Sequence, residues 1–137
     1  FVKLASQVRL DDKIVHRLPG AWAGGSPLRD AARAFIAATP WCDWIHSPVQ
    51  VKYWQSVAKH AFVLAPPNYY HGEGPSGPRG DADSFRVFES LVLGTIPILW
   101  DGPNAWAWEG LPVVKVRNWS DITQENMKLW WSDLKPR

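Results

Sequence analysis

Two charged residues, Arg86 and Glu89, have the types and the spacing to bind a nucleotide. They lie three residues apart in a segment whose apolar periodicity predicts a helix, so both side chains are near one face. A guanidinium can donate two parallel hydrogen bonds to phosphate oxygens, and a carboxylate can accept hydrogen bonds from both ribose hydroxyls. The alternative is an exposed ion pair on the helix, which contributes roughly a few tenths of a kcal/mol.

The helix that carries both residues lies between two short apolar segments, residues 61–65 and 95–100. Such runs are typical of strands that are buried on both faces of a parallel sheet. Ligands of these sheets bind beyond the carboxyl ends of the strands, where the N–H groups of a helix N-terminus attract anions. Because Asp83 or Ser84 can cap this helix, Arg86 is predicted to lie in its first turn, beside that anion site.

The rest of the chain alternates between helical and strand-like segments. Gly94 is predicted to end the helix of Arg86, because glycine adopts the left-handed conformation that closes many helices. Further helices are predicted over about residues 28–38, 48–59 and 123–134, and a further strand over residues 111–116. This order is typical of βαβ units around a parallel sheet. The sequence therefore predicts an α/β fold, a Rossmann-like three-layer sandwich with a parallel sheet.

The length of 137 residues fits one domain, and we expect a single Rossmann-like unit over residues 1–137. Proline and glycine punctuate residues 1–27, which predicts an irregular N-terminal edge with at most short strands over residues 1–4 and 8–15. Residues 66–82 are rich in glycine and proline and predict a long loop.

The composition excludes some classes of partner. The formal net charge of +2 and the lack of a basic run argue against nucleic acid binding. No apolar run approaches the roughly 20 residues that span a bilayer, and we expect neither an anchor nor a signal in this chain. The ten Trp residues suit a core, an interface or a sugar-stacking surface. Trp130 and Trp131 would point about 100° apart on a helix, so we expect at least one to be exposed and to contact a missing domain or partner subunit.

Metal-ligating and nucleophilic groups are sparse in the sequence. The lone Cys42 is expected to be a small buried hydrophobe, and the histidines lack the spacing of metal ligands. Asp81 and Asp83 form an Asp-x-Asp pair, but its place at the start of a helix favours a capping role. His71 and Glu73 fall in a glycine-rich loop, where a solvated side chain is the usual case. We predict no metal site and assign no catalytic residue.

Several segments follow one another in an order that resembles a known family. The segments are Phe62-Val-Leu-Ala-Pro-Pro67, Asp83-Ser-Phe-Arg86, Glu89-Ser-Leu-Val-Leu-Gly-Thr-Ile-Pro-Ile98, Gly110-Leu-Pro-Val-Val114 and Asn118-Trp-Ser-Asp-Ile122. Together they resemble the donor-sugar half of the exostosin-like glycosyltransferases. The likeness extends over residues 53–130, which is more than half of the chain.

By this resemblance, the chain is equivalent to the C-terminal half of a glycosyltransferase with the two-domain GT-B architecture. Arg86 would contact the diphosphate of the donor and Glu89 its ribose. No metal and no separate cofactor are implied, because the nucleotide sugar is itself the donor substrate. The remaining predicted pocket residues are Ser84, Pro66, Pro67 and Gly94, of which Gly94 shapes the turn behind the pocket.

The resemblance implies transfer of a sugar from a nucleotide diphosphate sugar, with a UDP-sugar as the expected donor, to a glycan or glycoprotein acceptor in the Golgi lumen. Two departures keep an alternative open. Residues 68–80 are extra relative to the short turn of many relatives, and 137 residues cannot also hold the acceptor domain. The alternative is a non-catalytic exostosin-like scaffold or interaction subunit of a larger assembly. A different nucleotide-binding α/β protein is a third interpretation.

Overall fold

The computed structural model describes residues 9–22, 27–45, 50–66, 85–101 and 109–134. These residues form five strands: β1 Leu18–Gly20, β2 Cys42–Trp44, β3 Phe62–Leu64, β4 Ile96–Trp100 and β5 Val114–Val116. They also form four α-helices: α1 Pro27–Ala38, α2 Gln50–Lys59, α3 Phe85–Val92 and α4 Gln124–Leu134. Two short 3₁₀ helices complete the described elements, Leu10–Asp12 and Trp119–Asp121.

The five described strands form one sheet in which every pairing is parallel, in the order β2-β1-β3-β4-β5. This is one of the two common orders of doubly wound sheets. The predicted α/β class, a Rossmann-like three-layer sandwich with a parallel sheet, is confirmed. Equivalence to one half of a GT-B enzyme stays a prediction.

Helices cover both faces of the sheet because alternate residues of each strand point to opposite sides. Phe62 of β3 packs in one core cluster with Ile36 of α1 and Met127 of α4. Its neighbour Val63 packs in a second cluster with Val57 of α2. α3 contacts α2 on this second face. α1 and α4 therefore form one outer layer, and α2 and α3 form the other.

The helices begin and end where the sequence predicts them, within two or three residues. α1 starts at Pro27, a residue whose fixed φ suits the first helical position. Its buried residues Leu28, Ala32 and Ile36 recur every fourth position along the face that packs on the sheet. At the start of α4, the hydroxyl of Thr123 accepts a hydrogen bond from the backbone N–H of Asn126 at 3.0 Å.

The prediction of an irregular edge over residues 1–27 is wrong for β1, which lies inside the sheet between β2 and β3. Pro19 is tolerated there because β1 pairs with β3 at Gly20 alone. Gly20 is needed for close packing: a Cβ atom at this position would lie 2.7 Å from Cδ1 of Ile36 and 3.0 Å from the Trp22 ring. The residues that signal a turn in the sequence therefore belong to a buried strand.

The strand predicted over residues 8–15 is also wrong where the structure describes it. Leu10–Asp12 is a 3₁₀ helix, and Ile14 makes a single isolated bridge to His60. β2 was not predicted, because a strand of three residues is too short to show a period. Residues 1–4 and all of the long loop predicted over residues 66–82 except Pro66 lie outside the described part of the chain.

Lys13, which is 6% exposed, joins the amino edge of the sheet to two helices through hydrogen bonds. Its ammonium group donates to the carbonyls of Ala58 at 2.7 Å and Leu93 at 2.9 Å, and to Oγ1 of Thr95 at 3.2 Å. Those carbonyls are near the C-termini of α2 and α3, where a positive charge is favourable. Burial lowers the pKa of Lys13 to about 8. Lys13 thus uses all three of its donors to join two helices to the sheet.

Candidate functional site

The carboxyl edge of the sheet is the end at which the parallel strands β1 to β5 finish. Along this edge the strand order reverses between β1 and β3, since β1 leads to α1 and β3 leads to α3 on the opposite face. Helices that diverge in this way leave a crevice at the strand ends, which is the usual ligand site of such folds. The candidate site therefore lies at the carboxyl ends of β1 and β3, where the structure describes residues 21–22 and 65–66.

Arg29 spans the reversal point between β1 and β3. It lies in the first turn of α1, and its Nε donates a hydrogen bond of 3.3 Å to the carbonyl of Pro66, two residues beyond β3. Pro66 is buried and is one of the predicted pocket residues. The Arg29 guanidinium of α1 therefore lies beside the second residue after β3.

Two tryptophans lie at the ends of β1 and β2, and a second arginine of α1 packs on one of them. The rings of Trp22 and Trp44 meet edge to face, with centroids 4.8 Å apart. The guanidinium carbon of Arg33 lies 3.9 Å from the centroid of the Trp44 ring, a cation–π contact. Because Arg29 and Arg33 are four residues apart on α1, they share one helix face. We call these two residues the α1 arginine pair.

The predicted nucleotide residues Arg86 and Glu89 both belong to α3, which begins at Phe85. The backbone of Arg86 lies in the first turn, as predicted, but its side chain lies outside the described part of the structure. Glu89 is half-buried, and its Oε2 atom is shielded from solvent. Ser84 and Pro67 also lie outside the described residues. Nucleotide contact by these residues stays a prediction.

Gly94 lies at the opposite end of α3 from Arg86. With a φ of +74°, it turns the chain from α3 into β4 at the amino edge of the sheet. A Cβ atom here would lie 3.3 Å from Cδ2 of Leu10 and 3.6 Å from Cε of Lys13. The structure therefore does not bring Gly94 together with Pro66. Its effect on the site is limited to setting the positions of α3 and β4.

Acidic side chains near the ends of β4 and β5 are paired with cations. The carboxylate of Asp101 accepts a hydrogen bond from Nε of Arg117 at 3.2 Å, and that of Glu109 accepts one from Nζ of Lys115 at 2.8 Å. Exposed pairs of this kind contribute about 0–1 kcal/mol. This part of the carboxyl edge therefore carries surface ion pairs, not a cluster of charges of one sign.

The described residues give little support for a nucleophilic or metal-binding site. Burial raises the pKa of the Cys42 thiol to about 12, so it stays protonated and packs as a hydrophobe, as predicted. Desolvation lowers the pKa of His60, whose Nδ1 donates to the carbonyl of Ser56 at 2.6 Å. Within the described ranges, no three His, Cys, Asp or Glu side chains are close enough together to hold a metal ion.

A cleft of about 530 Å³ lies elsewhere, near the amino edge. Its lining is Val15, His16, Gln124, Glu125, Lys128 and Trp131. Nε2 of Gln124 donates to the carbonyl of His16 at 2.9 Å, which joins α4 to the segment before β1. Because these residues precede β1 or belong to α4, the cleft is separate from the crevice between β1 and β3.

The tryptophans of α4 are core residues. Trp131 is 9% exposed and Trp130 is partly buried, and both rings meet Phe62 edge-on at centroid distances of 6.1 and 6.3 Å. The expectation that one of them is exposed is wrong, because long indoles reach the same core residue from adjacent helix positions. Exposed large apolar side chains include Leu129 of α4, which is 64% exposed, and two residues of α3, Phe88 at 52% and Val92 at 55%.

Comparison with known proteins adds no assignment. A scan against protein-family models finds no match, and a search of curated proteins finds no matching relative. Each helix that the structure describes is too short or too polar to cross a membrane. The resemblance to exostosin-like enzymes therefore rests on the sequence segments themselves.

Proposed function

We propose that this chain is the donor-binding half of an exostosin-like glycosyltransferase, which binds a nucleotide diphosphate sugar at the carboxyl edge of its sheet. The observation that carries the proposal is the position of α3. This helix follows β3 at the point where the strand order reverses, and it carries Arg86 in its first turn and Glu89 one turn later. The sequence segments that resemble the family supply this same helix.

In the proposed complex, the diphosphate lies against the N-terminal turn of α3 and the guanidinium of Arg86. Both carry positive charge, and both would stabilise the negative charge that grows on the leaving diphosphate as the sugar is transferred. Glu89 would accept hydrogen bonds from the ribose hydroxyls. The base that activates the acceptor is left unassigned, and we expect it to come from an acceptor domain.

The proposed substrates are a UDP-sugar as donor and a glycan or glycoprotein as acceptor, and the proposed location is the Golgi lumen. All of these come from the resemblance. The acceptor domain is proposed to contact this chain as a separate domain or as a partner subunit.

One observation favours the alternative, a non-catalytic scaffold that packs against other proteins. Phe88 and Val92 lie four residues apart on α3, share one face, and are each more than half exposed. Apolar side chains that recur on an exposed helix face are typical of a surface that meets a partner. A scaffold with this surface would need no functional nucleotide pocket.

Calorimetric titration of the chain with UDP and GDP separates the two functions. The transferase proposal predicts saturable binding of one nucleotide, weakened about tenfold or more in an Arg86→Ala variant. Arg9→Ala is the matched control, since Arg9 is an exposed arginine that precedes the first 3₁₀ helix, which lies near the C-terminal end of α3 and not near its first turn. If the folded chain binds neither nucleotide, the scaffold becomes the preferred function.

A further inference from the structure

We propose that Asn118 is an acceptor for N-linked glycosylation. It is the only asparagine in the sequence that has a serine or threonine two residues later, in Asn118-Trp-Ser120. An Asn-x-Ser or Asn-x-Thr sequence in which x is not proline is the signal for attachment of an N-linked glycan to a secreted protein. The inference rests on the proposed function for one condition, which is passage of the chain through the lumen of the secretory pathway.

Both residues that the signal requires are exposed. Asn118 lies two residues beyond β5, and Ser120 belongs to the 3₁₀ helix Trp119–Asp121. Trp119, between them, is only 7% exposed and packs in the core cluster that contains Ile36 and Met127. The turn is therefore fixed by its middle residue, while the two residues that a glycosylating enzyme must recognise are in contact with solvent.

The fold does not use the side-chain amide of Asn118 to cap the 3₁₀ helix. An asparagine directly before a helix commonly accepts a hydrogen bond from a backbone N–H of the first turn. Asn118 has the extended backbone of a capping residue, with a φ of −137° and a ψ of 135°, but its side chain makes no capping hydrogen bond. Asn126 shows the contrast, because its Nδ2 donates to the carbonyl of Asp121 at 2.8 Å. Modification of Nδ2 of Asn118 would therefore leave the turn intact.

A glycan on Asn118 would lie at the margin of the described sheet. β5 is the last strand in the order β2-β1-β3-β4-β5, and β4 separates it from β3. The adjacent side chain of Arg117 is 82% exposed, so solvent surrounds this end of the strand. Because the crevice lies between β1 and β3, a glycan can be attached to Asn118 without occupying the proposed nucleotide site.

The reaction needs a lipid-linked oligosaccharide diphosphate as its second substrate. Nδ2 of Asn118 forms a bond to C1 of the first sugar, and the bond between C1 and the diphosphate oxygen breaks. The lipid diphosphate leaves with the electron pair of that bond, and one amide proton passes to a base of the glycosylating enzyme. No group is oxidised or reduced. Ser120 supplies the hydroxyl that completes the recognition signal.

Expression of the chain behind a secretion leader in glycosylating eukaryotic cells tests the inference. The leader directs every variant through the lumen, so the result does not depend on the natural location of the chain. Cellular and secreted protein are treated with peptide N-glycosidase, and electrophoretic mobility and the mass of the peptide around residue 118 are measured. We expect one enzyme-sensitive mobility shift in wild type, with deamidation of Asn118 after enzyme treatment. Asn118→Gln and Ser120→Ala should each abolish the shift, and Ser120→Thr should keep it.

Asn126→Gln is the matched control, because it makes the same substitution at an asparagine that lacks the signal. It should leave the shift unchanged. Ser120→Ala keeps the test decisive if Asn118→Gln misfolds, since it removes the signal without altering the asparagine. Absence of the shift in wild type, from cells that glycosylate a reference secreted protein, would overturn the inference. A shift that persists in Asn118→Gln would overturn it too.

The outcomes separate this inference from the proposed function. Glycosylation of Asn118 in a folded chain that binds neither UDP nor GDP would support the inference and contradict the donor proposal. Binding of UDP by a chain whose Asn118 stays unmodified in the secretion experiment would overturn the inference and keep the donor proposal.

Discussion

The two edges of the sheet hold their cations in opposite ways. At the amino edge, the ammonium of Lys13 is buried and donates to three oxygens of the protein itself. At the carboxyl edge, Nε of Arg29 donates a longer hydrogen bond of 3.3 Å to Pro66, and Arg33 lies on an aromatic ring. The first arrangement joins secondary structure elements. The second holds the guanidiniums of two α1 residues near the carboxyl ends of the strands.

The largest expected effect is at the amino edge, where Lys13→Met leaves buried acceptors unsatisfied. We expect the free energy of unfolding to fall by about 3 kcal/mol, because each unsatisfied buried group costs about 1–3 kcal/mol. Urea denaturation measures the change, with Lys52→Met as the exposed control. A loss below about 1 kcal/mol would show that Lys13 does not join the helices as described.

A smaller effect is expected for Gly20→Ala at the carboxyl edge. The new methyl group would lie 2.7 Å from Cδ1 of Ile36, so either the Ile36 side chain or α1 must shift. We expect a loss of about 1–3 kcal/mol, the usual cost of overpacking. The double variant Gly20→Ala/Ile36→Val removes the clashing carbon and should recover part of the loss. Strictly additive changes in the two single variants would contradict direct contact.

The pH dependence of stability also distinguishes the edges. Burial lowers the pKa of Lys13 from 10.5 to about 8, so between these values the unfolded chain binds the proton more strongly than the folded chain. The contribution of Lys13 to stability therefore rises as the pH increases from about 8 to 10.5. Denaturation at several pH values should show this rise in wild type relative to Lys13→Met. Parallel profiles would contradict a buried ammonium.

The smallest effect is expected for the exposed ion pair at the end of β4. Arg117 is 82% exposed and Asp101 38%, so solvent screens the pair. Asp101→Asn should change the free energy of unfolding by less than about 0.5 kcal/mol in denaturation experiments. A loss above about 1 kcal/mol would show that carboxyl-edge charges stabilise the fold as Lys13 does.

Local signals in the sequence are sufficient to predict part of the fold. The helices α1 to α4 and the strands β3 to β5 follow from apolar periodicity and from capping residues such as Thr123. Strand β1 does not, because Pro19 and Gly20 are turn residues in most settings. Here the packing against Ile36 explains Gly20, and the limited pairing of β1 with β3 explains Pro19. The pairing of a three-residue strand cannot be read from its own composition.

The sequence alone indicates the important residues of one edge of the sheet better than those of the other. Lys13 could not be predicted, since one of its partners, Leu93, is 80 residues away in the chain. Arg29 does carry a signal in the sequence: it is a cation in the first turn of a predicted helix, the same pattern as Arg86. The contact between Arg29 and Pro66 depends on the strand order and needed the structure.

The central claim is that the carboxyl edge binds the nucleotide and the amino edge does not. Backbone amide spectra of the isotopically labelled chain, recorded during titration with UDP, test it residue by residue. We predict that the amides of Trp22, Arg29 and Glu89 shift with one saturation curve, while those of Lys13 and Gly94 stay in place. Shifts confined to Val15, His16 and the start of α4, or no saturable shift at all, would contradict the claim.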